Sequence, residues 1–158
     1  IGEIWQSGFD DMLRRPQIMQ RWPANFLEIH PDDAAERGIE SGDWVVAESE
    51  RIPVQKGGFI AETTSDASFS GLLKNGHIEL TSARVEAVAI VTPAVRKGVS
   101  FMFFLHSKDP ANSLVARVPD PITSNYRYKL GIGKVSKLGE SEYKHSFTQM
   151  SFAPRTIV

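Results

Sequence analysis

The stretch EIHPDDAAERGIESGDWV, residues 28–45, carries the strongest local structural signals in the chain. Its proline is favoured in the first turn of a helix, and the two aspartates that follow stabilise the partial positive charge at a helix N-terminus. Gly38 suits the position just after a helix, where the backbone takes a positive φ. The pattern therefore predicts a short helix over 31–37, ending at Gly38 and lying between two strands. We interpret its acidic residues as scaffold rather than as a metal or acid–base site.

Composition limits the class of protein. The chain has 158 residues, of which 41% are hydrophobic and 23% charged, as in an ordinary soluble globular domain. A net charge of −1 makes nucleic acid a poor candidate partner, and no apolar run reaches the roughly 18–20 residues of a membrane span. The absence of cysteine excludes disulfides, thiolate metal sites and thiol nucleophiles. Because the first residue is Ile1 rather than Met, we interpret the chain as a fragment of a longer protein.

Short segments rich in Val, Ile and Phe, separated by turn residues, predict a β-rich domain from Asn25 onward. Asn75-Gly76 predicts a hairpin turn, with His77 exposed after it. After His106 the hydrophobic periodicity is lost for about 25 residues, and a loop of that length is usually functional or disordered. Its apolar content argues against disorder, so we predict a functional loop. The predicted strands are NFLEI, DWVVAESE, GGFIAETT, HIELTS, VEAVAIVT, GVSFMFFL and IGKVSKL, with a buried core that includes Phe26, Leu27, Ile29, Trp44, Val46, Ile90 and Phe103.

Three segments together resemble a known family. The pattern of a strand, PDDAxxxGIxxGDWV and a second strand is similar to the C-terminal dinucleotide-binding domain of the dimethyl-sulfoxide-reductase family of molybdenum enzymes. Residues 85–104, VEAVAIVTPAVRKGVSFMFF, and residues 111–129, ANSLVARVPDPITSNYRYK, resemble later segments of that domain. Val115 stands where the family usually has threonine, and SNYRYK lacks the family's proline. Within the family, the chain is most similar to the large, molybdenum-bearing subunit of arsenite oxidase.

The resemblance implies a fold, a cofactor and partners. The implied fold is mainly β, a six-stranded double-psi β-barrel with short helices over 25–158, preceded by a segment from an earlier domain over 1–24. The implied cofactor is molybdopterin guanine dinucleotide, which carries the molybdenum without a direct ligand from this chain. In the family's arsenite oxidases, arsenite is oxidised to arsenate, and electrons leave through an iron–sulfur cluster and a Rieske-type small subunit. We therefore expect a periplasmic parent enzyme, the remaining domains of its catalytic subunit as partners, and no activity from the isolated chain.

Binding a pterin dinucleotide demands amides, hydroxyls and a few cations on irregular loops rather than catalytic acids. The resemblance places Gln6 and Ser7, in the stretch WQSGFDD, near the cofactor. The long loop supplies the remaining candidates, and its asparagines suit the hydrogen-bonding edge of a pterin or a guanine. We expect Asn112, Asn125 and Tyr126 to line a groove shared with Gln6 and Ser7. The complete set of predicted cofactor-binding residues is Gln6, Ser7, His106, Asn112, Asp120, Asn125, Tyr126 and Lys129.

The sequence offers no catalytic or metal-binding motif. The four histidines lie far apart and lack the spacing of metal ligands, and the phosphate-binding glycine loops are absent. We therefore predict no catalytic residue and no metal ligand in this chain. Two alternatives stay open, because fold does not fix function. One is a non-catalytic interaction module on the same barrel; the other is another molybdenum oxidoreductase, such as a formate dehydrogenase or a nitrate reductase.

Overall fold

The structure, a computed structural model, describes residues 23–56, 68–103, 106, 108–119, 125–126 and 130–145. The chain forms two compact units. The second unit contains the described parts of Ala47–Val85 and Ala111–Lys134. The first unit contains the other described residues. The predicted strand GGFIAETT lies outside the described residues, as do Gln6 and Ser7.

Five strands form one mixed sheet in the order β4-β1-β3-β2-β5. Strand β1 pairs in parallel with β3, where Leu27 faces Ala89, and antiparallel with β4, where Glu28 faces Phe101. This sheet confirms the predicted mainly β class and is consistent with a double-psi barrel. The predicted segments HIELTS and VEAVAIVT join into one continuous strand. The strands are β1 (Phe26–Ile29), β2 (Asp43–Gln55), β3 (Ile78–Val91), β4 (Ser100–Met102) and β5 (Lys134–Glu140).

The first helix, α1 (Pro31–Glu36), confirms the prediction for the opening stretch to within one residue. His30 caps its N-terminus, because the His30 Nδ1 accepts a hydrogen bond from the Asp32 N–H at 3.2 Å. Gly38 follows the helix with φ of 62°, as predicted. The Asp33 carboxylate accepts from the Gly98 N–H at 2.6 Å and so fixes the helix against the segment before β4. These acidic residues are scaffold.

A second helix, α2 (Phe69–Lys74), was not predicted from the sequence. The Ser68 Oγ caps it by accepting from the Gly71 N–H at 3.0 Å. Asn75 ends the helix, and Gly76 follows with φ of 76°. The prediction of a hairpin turn at Asn75-Gly76 is therefore wrong, because the same dipeptide also ends helices with a positive φ at the glycine. His77, predicted to be exposed, is partly buried.

Burial agrees with most of the predicted core. In the first unit, Phe26, Leu27, Ile29 and Val46 are buried, each no more than 4% exposed. The other three predicted residues are partly buried and pack against the cluster around Phe26: Trp44, Ile90 and Phe103. Trp44 keeps its indole nitrogen toward solvent, because the Nε1–H donates to the exposed Glu142 carboxylate at 3.0 Å. The second unit has its own buried residues, which include Ile52, Leu72, Ile78 and Val85.

Asp43 is a fully buried carboxylate at the start of β2. One oxygen accepts from the Glu40 N–H at 2.7 Å and lies 2.7 Å from the Lys137 Nζ, while the other lies 3.3 Å from the Lys144 Nζ. Burial alone would raise the pKa of this carboxyl, but the hydrogen bonds from Lys137, Glu40 and Lys144 outweigh burial and hold the pKa below its usual value. The carboxylate therefore joins β2 to β5 and to the segment after it.

Gly42 should tolerate a side chain less well than Gly38. Both have positive φ, but a Cβ at Gly42 would lie 2.7 Å from the Lys144 Cα, whereas one at Gly38 would meet no atom within 4 Å. We expect Gly38→Ala to lower the free energy of unfolding by about 1 kcal/mol through backbone strain alone. Gly42→Ala should cost about 3 kcal/mol, since it adds a steric clash. Denaturant titration of both variants measures the loss in the free energy of unfolding. Equal losses for the two variants would contradict the close approach of Lys144 to Gly42.

Asp43→Asn should lower the free energy of unfolding by about 3 kcal/mol at neutral pH, because it leaves two lysines without their buried partner. The native pKa of Asp43 is depressed, so its stabilising contribution is present above the ordinary aspartate pKa and is lost as pH falls through the native value. The difference between variant and parent should therefore narrow in acid. Asp32→Asn, whose carboxylate is 64% exposed, is the matched control, with a change within about 0.5 kcal/mol. If the difference in the free energy of unfolding between Asp43→Asn and the parent did not change with pH, the depressed pKa assigned to Asp43 would be refuted.

Candidate functional site

The loop predicted to be functional is held at defined points within the second unit. A 3₁₀ turn, Ala111–Leu114, begins it. Arg117 then pairs with the end of β2, where its N–H donates to the Pro53 carbonyl at 2.8 Å and its carbonyl accepts from the Gln55 N–H at 3.2 Å. An antiparallel bridge joins Pro119 to Tyr126. Backbone contacts thus fix the described loop at Arg117, Pro119 and Tyr126.

A cavity of about 290 Å³ lies within this loop. Two of its lining residues, Val115 and Ala116, provide apolar surface, and Tyr126 provides an aromatic ring that is 55% exposed. Asn112 and Arg117 contribute an amide and a guanidinium group. None of these five side chains is a carboxylate, an imidazole or a thiol. The described lining therefore suits ligand binding rather than acid–base or nucleophilic catalysis.

The Asn112 amide oxygen is shielded from solvent, and no group in the described part of the chain donates a hydrogen bond to it. An unpaired acceptor of this kind is costly, and in native proteins it usually receives a ligand or water. The Arg117 side chain is exposed, and no acidic side chain of the described residues forms an ion pair with it. The cavity thus combines an acceptor that lacks a donor with an uncompensated positive charge.

Of the eight predicted cofactor-binding residues, two line the cavity, two are described but do not line it, and four are not described. Asn112 and Tyr126 line the same cavity, and Asn125, next to Tyr126, is exposed and does not line it. His106 belongs to the first unit and is buried, with its Nδ1 accepting from the Lys108 N–H at 3.4 Å. Their cofactor roles stay predictions. Four predicted residues lie outside the described residues, so the groove expected to include the first two is not described: Gln6, Ser7, Asp120 and Lys129.

Sequence reasoning missed Arg117, Val115 and Ala116 as lining residues. Arg117 stands in an apolar stretch without periodicity, and its place at the cavity follows from backbone pairing with β2. Val115 was noted only as a departure from the family pattern. The many amide and hydroxyl side chains nearby predicted a functional loop. They did not indicate that Arg117, Val115 and Ala116 line the cavity.

Among the described ranges, no three or more histidine, cysteine, aspartate or glutamate side chains are grouped so as to hold a metal ion. No described helix combines the length and the apolar character needed to cross a membrane. Among the described residues, the strongest electrostatic perturbation lies in the first unit, where the hydrogen bonds that the Lys144 ammonium donates to the Glu140 and Glu40 carboxylates raise its pKa. That network is structural.

The N-terminal third of the chain matches a known protein family. Residues 3–57, which include the opening stretch, match the family model for the molydopterin dinucleotide binding domain. Over these residues the chain is similar to molybdopterin dinucleotide-binding domains. Molybdopterin guanine dinucleotide, the cofactor that the sequence resemblance implies, fits such a domain.

Curated relatives extend the match to the whole chain. The chain is 51% identical over 158 residues to the iodate reductase subunit IdrA of Denitromonas iodatirespirans and 48% identical over the same length to the iodate reductase subunit IdrA of Pseudomonas sp. (strain SCT). The chain spans 17% and 18% of the length of these two proteins. The cavity residues lie outside the family match but inside the region shared with the relatives. Both relatives are named for iodate reduction and not for arsenite oxidation.

The cavity residues fit part of such a cofactor. A dinucleotide offers ring N–H donors for the Asn112 oxygen, a flat ring for Tyr126 and phosphates for Arg117. The volume of about 290 Å³ lies at the lower end of the range for small-molecule sites, which suits one end of a dinucleotide. The five lining residues therefore meet the chemical requirements for holding one portion of the cofactor.

Arg117→Gln in the full-length cofactor-loaded enzyme should weaken cofactor retention about threefold to tenfold, because it removes a charge available to phosphate. The loss should grow as salt is lowered, since screening already weakens the parent interaction at high salt. Molybdenum per protein after dialysis at low and high salt is the readout. Arg51→Gln, which changes an exposed arginine in β2 of the same unit, should leave retention unchanged. Equal retention for the two variants would remove Arg117 from the site.

Proposed function

We propose that this chain is the cofactor-binding domain of the molybdenum-bearing catalytic subunit of an iodate reductase. The observation that carries the proposal is identity of 51% and 48%, over every residue of the chain, to two iodate reductase subunits. The cavity around Asn112 supports it, because its lining suits binding and contains no catalytic group. The proposed role is to hold and orient molybdopterin guanine dinucleotide.

Within this role, the chemistry divides between cofactor and protein. When bound, the molybdenum cofactor supplies two-electron redox chemistry with transfer of oxygen. The residues of this chain bind and position: Asn112 accepts a hydrogen bond from a ring N–H, Tyr126 packs on a flat ring, and Arg117 neutralises phosphate charge. Substrate contacts belong to other parts of the parent subunit, of which the chain represents about a sixth by comparison with its relatives.

The proposal also covers partners and compartment. The remaining domains of the catalytic subunit would complete the cofactor site, and a Rieske-type iron–sulfur small subunit would exchange electrons with it. The parent enzyme would act in the periplasm. Support for these points comes from the family resemblance of the three quoted segments.

Arsenite oxidation is the second candidate function. The segments 85–104 and 111–129, together with the N-terminal stretch, resemble the large subunit of arsenite oxidase. The names of the two relatives favour iodate reduction. Because this domain binds cofactor rather than substrate, the choice between the two substrates depends on the parent enzyme.

The test uses the full-length catalytic subunit purified with its small subunit. We expect molybdenum and guanine dinucleotide in the protein, and iodate-dependent oxidation of a reduced dye. Enzyme from cells grown with tungstate in place of molybdate is the control and should lose this activity. Arsenite-dependent dye reduction without iodate turnover would favour the second candidate. Protein that contains no pterin dinucleotide would support a non-catalytic interaction module instead. The isolated chain should turn over neither substrate.

A further inference from the structure

One face of the sheet in the first unit is only partly covered. Phe26 and Val88 face each other across β1 and β3 and are buried, and Phe103 packs against them. Phe101 continues the same face, because its ring packs edge to face on Phe103 with the ring centroids 5.2 Å apart, yet 47% of Phe101 is exposed. Val99, which directly precedes β4, is 53% exposed. The face is therefore closed around Phe26 and open toward Phe101.

Glu28 lies at the centre of the open part. The strand register sets Glu28 between Ile90 on β3 and Phe101 on β4, so its nearest neighbours across the sheet are apolar. We call the surface formed by Glu28, Ile90 and Phe101 the Phe101 face. Glu28 is partly buried, and this burial raises the pKa of its carboxyl. No charge or hydrogen bond from the described residues opposes that effect, whereas the buried Asp43 carboxylate has two lysine partners.

A partly desolvated carboxylate among apolar side chains suits an interface that supplies a cation. Taking a carboxylate out of water costs free energy, and a well-placed guanidinium or ammonium group offsets that cost. Exposed aromatic and aliphatic side chains provide the apolar contacts found at the centre of an interface. The Phe101 face therefore fits a partner that carries an apolar side chain beside an arginine or a lysine.

We propose that the Phe101 face docks another part of the same catalytic subunit, which places an apolar side chain on Phe101 and an arginine or a lysine on Glu28. The inference rests on the proposed function, in which this chain is one domain of a larger subunit. The chain spans 17% and 18% of its two relatives, so most of such a subunit lies outside it. A segment of the same polypeptide is held near this surface at a high effective concentration. Docking of two copies through this face is disfavoured, because two-fold symmetry would set one Glu28 carboxylate near the other.

The first experiment maps what covers this surface in the full-length enzyme. The photoreactive amino acid p-benzoylphenylalanine replaces Phe101 in the catalytic subunit, which is purified with its small subunit and irradiated. We expect cross-links to residues of the same subunit outside residues 1–158, identified by mass spectrometry, with an arginine or a lysine beside the linked position. A sample kept in the dark is the control. A covalent dimer of the catalytic subunit, a link only to the small subunit, or no link outside residues 1–158 would overturn the proposal.

Glu28→Gln distinguishes a paired carboxylate from an uncovered one by the sign of its effect. If a cation covers Glu28, the substitution leaves that cation without its partner, and backbone hydrogen exchange of residues 99–103 in the full-length enzyme should rise about tenfold or more. If the face is uncovered, removing a partly desolvated charge should leave exchange unchanged or slow it, and the proposal would fail. Glu50→Gln, at an exposed glutamate in β2, is the matched control and should leave exchange of these residues unchanged.

Charge reversal tests the ion pair directly. Glu28→Lys should raise exchange of residues 99–103 more than Glu28→Gln does, because it sets two cations together. Changing the arginine or lysine beside the cross-linked position to glutamate should lower exchange again in the Glu28→Lys background. Exchange that stays high in this double variant would refute the pairing with Glu28.

Failure of this inference is separable from failure of the proposed function. Molybdenum content and iodate turnover test the proposed function. Both can be present in an enzyme in which position 101 forms no cross-link outside this chain and Glu28→Gln leaves hydrogen exchange unchanged.

Discussion

Burial of the Asp43 carboxylate is the constraint on which the first unit depends. A fully buried charge is tolerated only when its oxygens are paired, and here the Glu40 N–H and the ammonium groups of Lys137 and Lys144 pair them. These partners come from the turn after α1, from β5 and from the segment after β5. Removing Lys137 or Lys144 would leave the buried carboxylate with one cationic partner fewer. The carboxylate therefore fixes which segments can lie next to β2.

Close backbone packing reinforces this arrangement. Gly42 has no side chain, so the Lys144 backbone lies where a Cβ would project. The Ser141 Oγ donates to the Gly42 carbonyl at 2.6 Å, and the Gly42 N–H donates to the Ala89 carbonyl at 2.9 Å. Both polar groups of Gly42 are thus satisfied where the chain is buried, as buried backbone requires. At Gly42 the close backbone leaves no room for a side chain, and at Asp43 the buried carboxylate requires cationic partners.

The sequence could predict features of the fold that depend on neighbouring residues. It could not predict contacts between residues far apart in the chain. Helix α1 and the positive φ of Gly38 were predictable because proline, the aspartates and glycine act locally. Helix α2 was missed because it has only six residues and no hydrophobic period, and Asn75-Gly76 also suits a hairpin. The two lysine partners of Asp43 are about a hundred residues away along the chain, so no local pattern could have indicated them.

The candidate site also has features that local sequence could predict and features that depend on contacts with distant residues. The loop around Asn112 was predictable from its length, its polar residues and the family resemblance. Arg117 was not, because its place at the cavity depends on hydrogen bonds to Pro53 and Gln55 at the far end of β2. His106 adjoins the loop in sequence but is buried in the first unit, and its role in cofactor binding stays a prediction.

The charged network of the first unit and the cavity of the second unit differ in the groups that they present. The carboxylates and lysines with shifted pKa values, such as Asp43 and Lys144, are occupied with one another and stabilise the fold. The described cavity instead presents an unpaired amide oxygen, an aromatic ring and a guanidinium. Such a surface gives orientation and specificity and leaves the redox chemistry to a cofactor. A cavity of about 290 Å³ is small for a whole dinucleotide, so the proposed site would hold only one portion of it. Rigid anchoring of the loop to β2 then matters, because a partial site can orient its ligand only if its own atoms are already fixed.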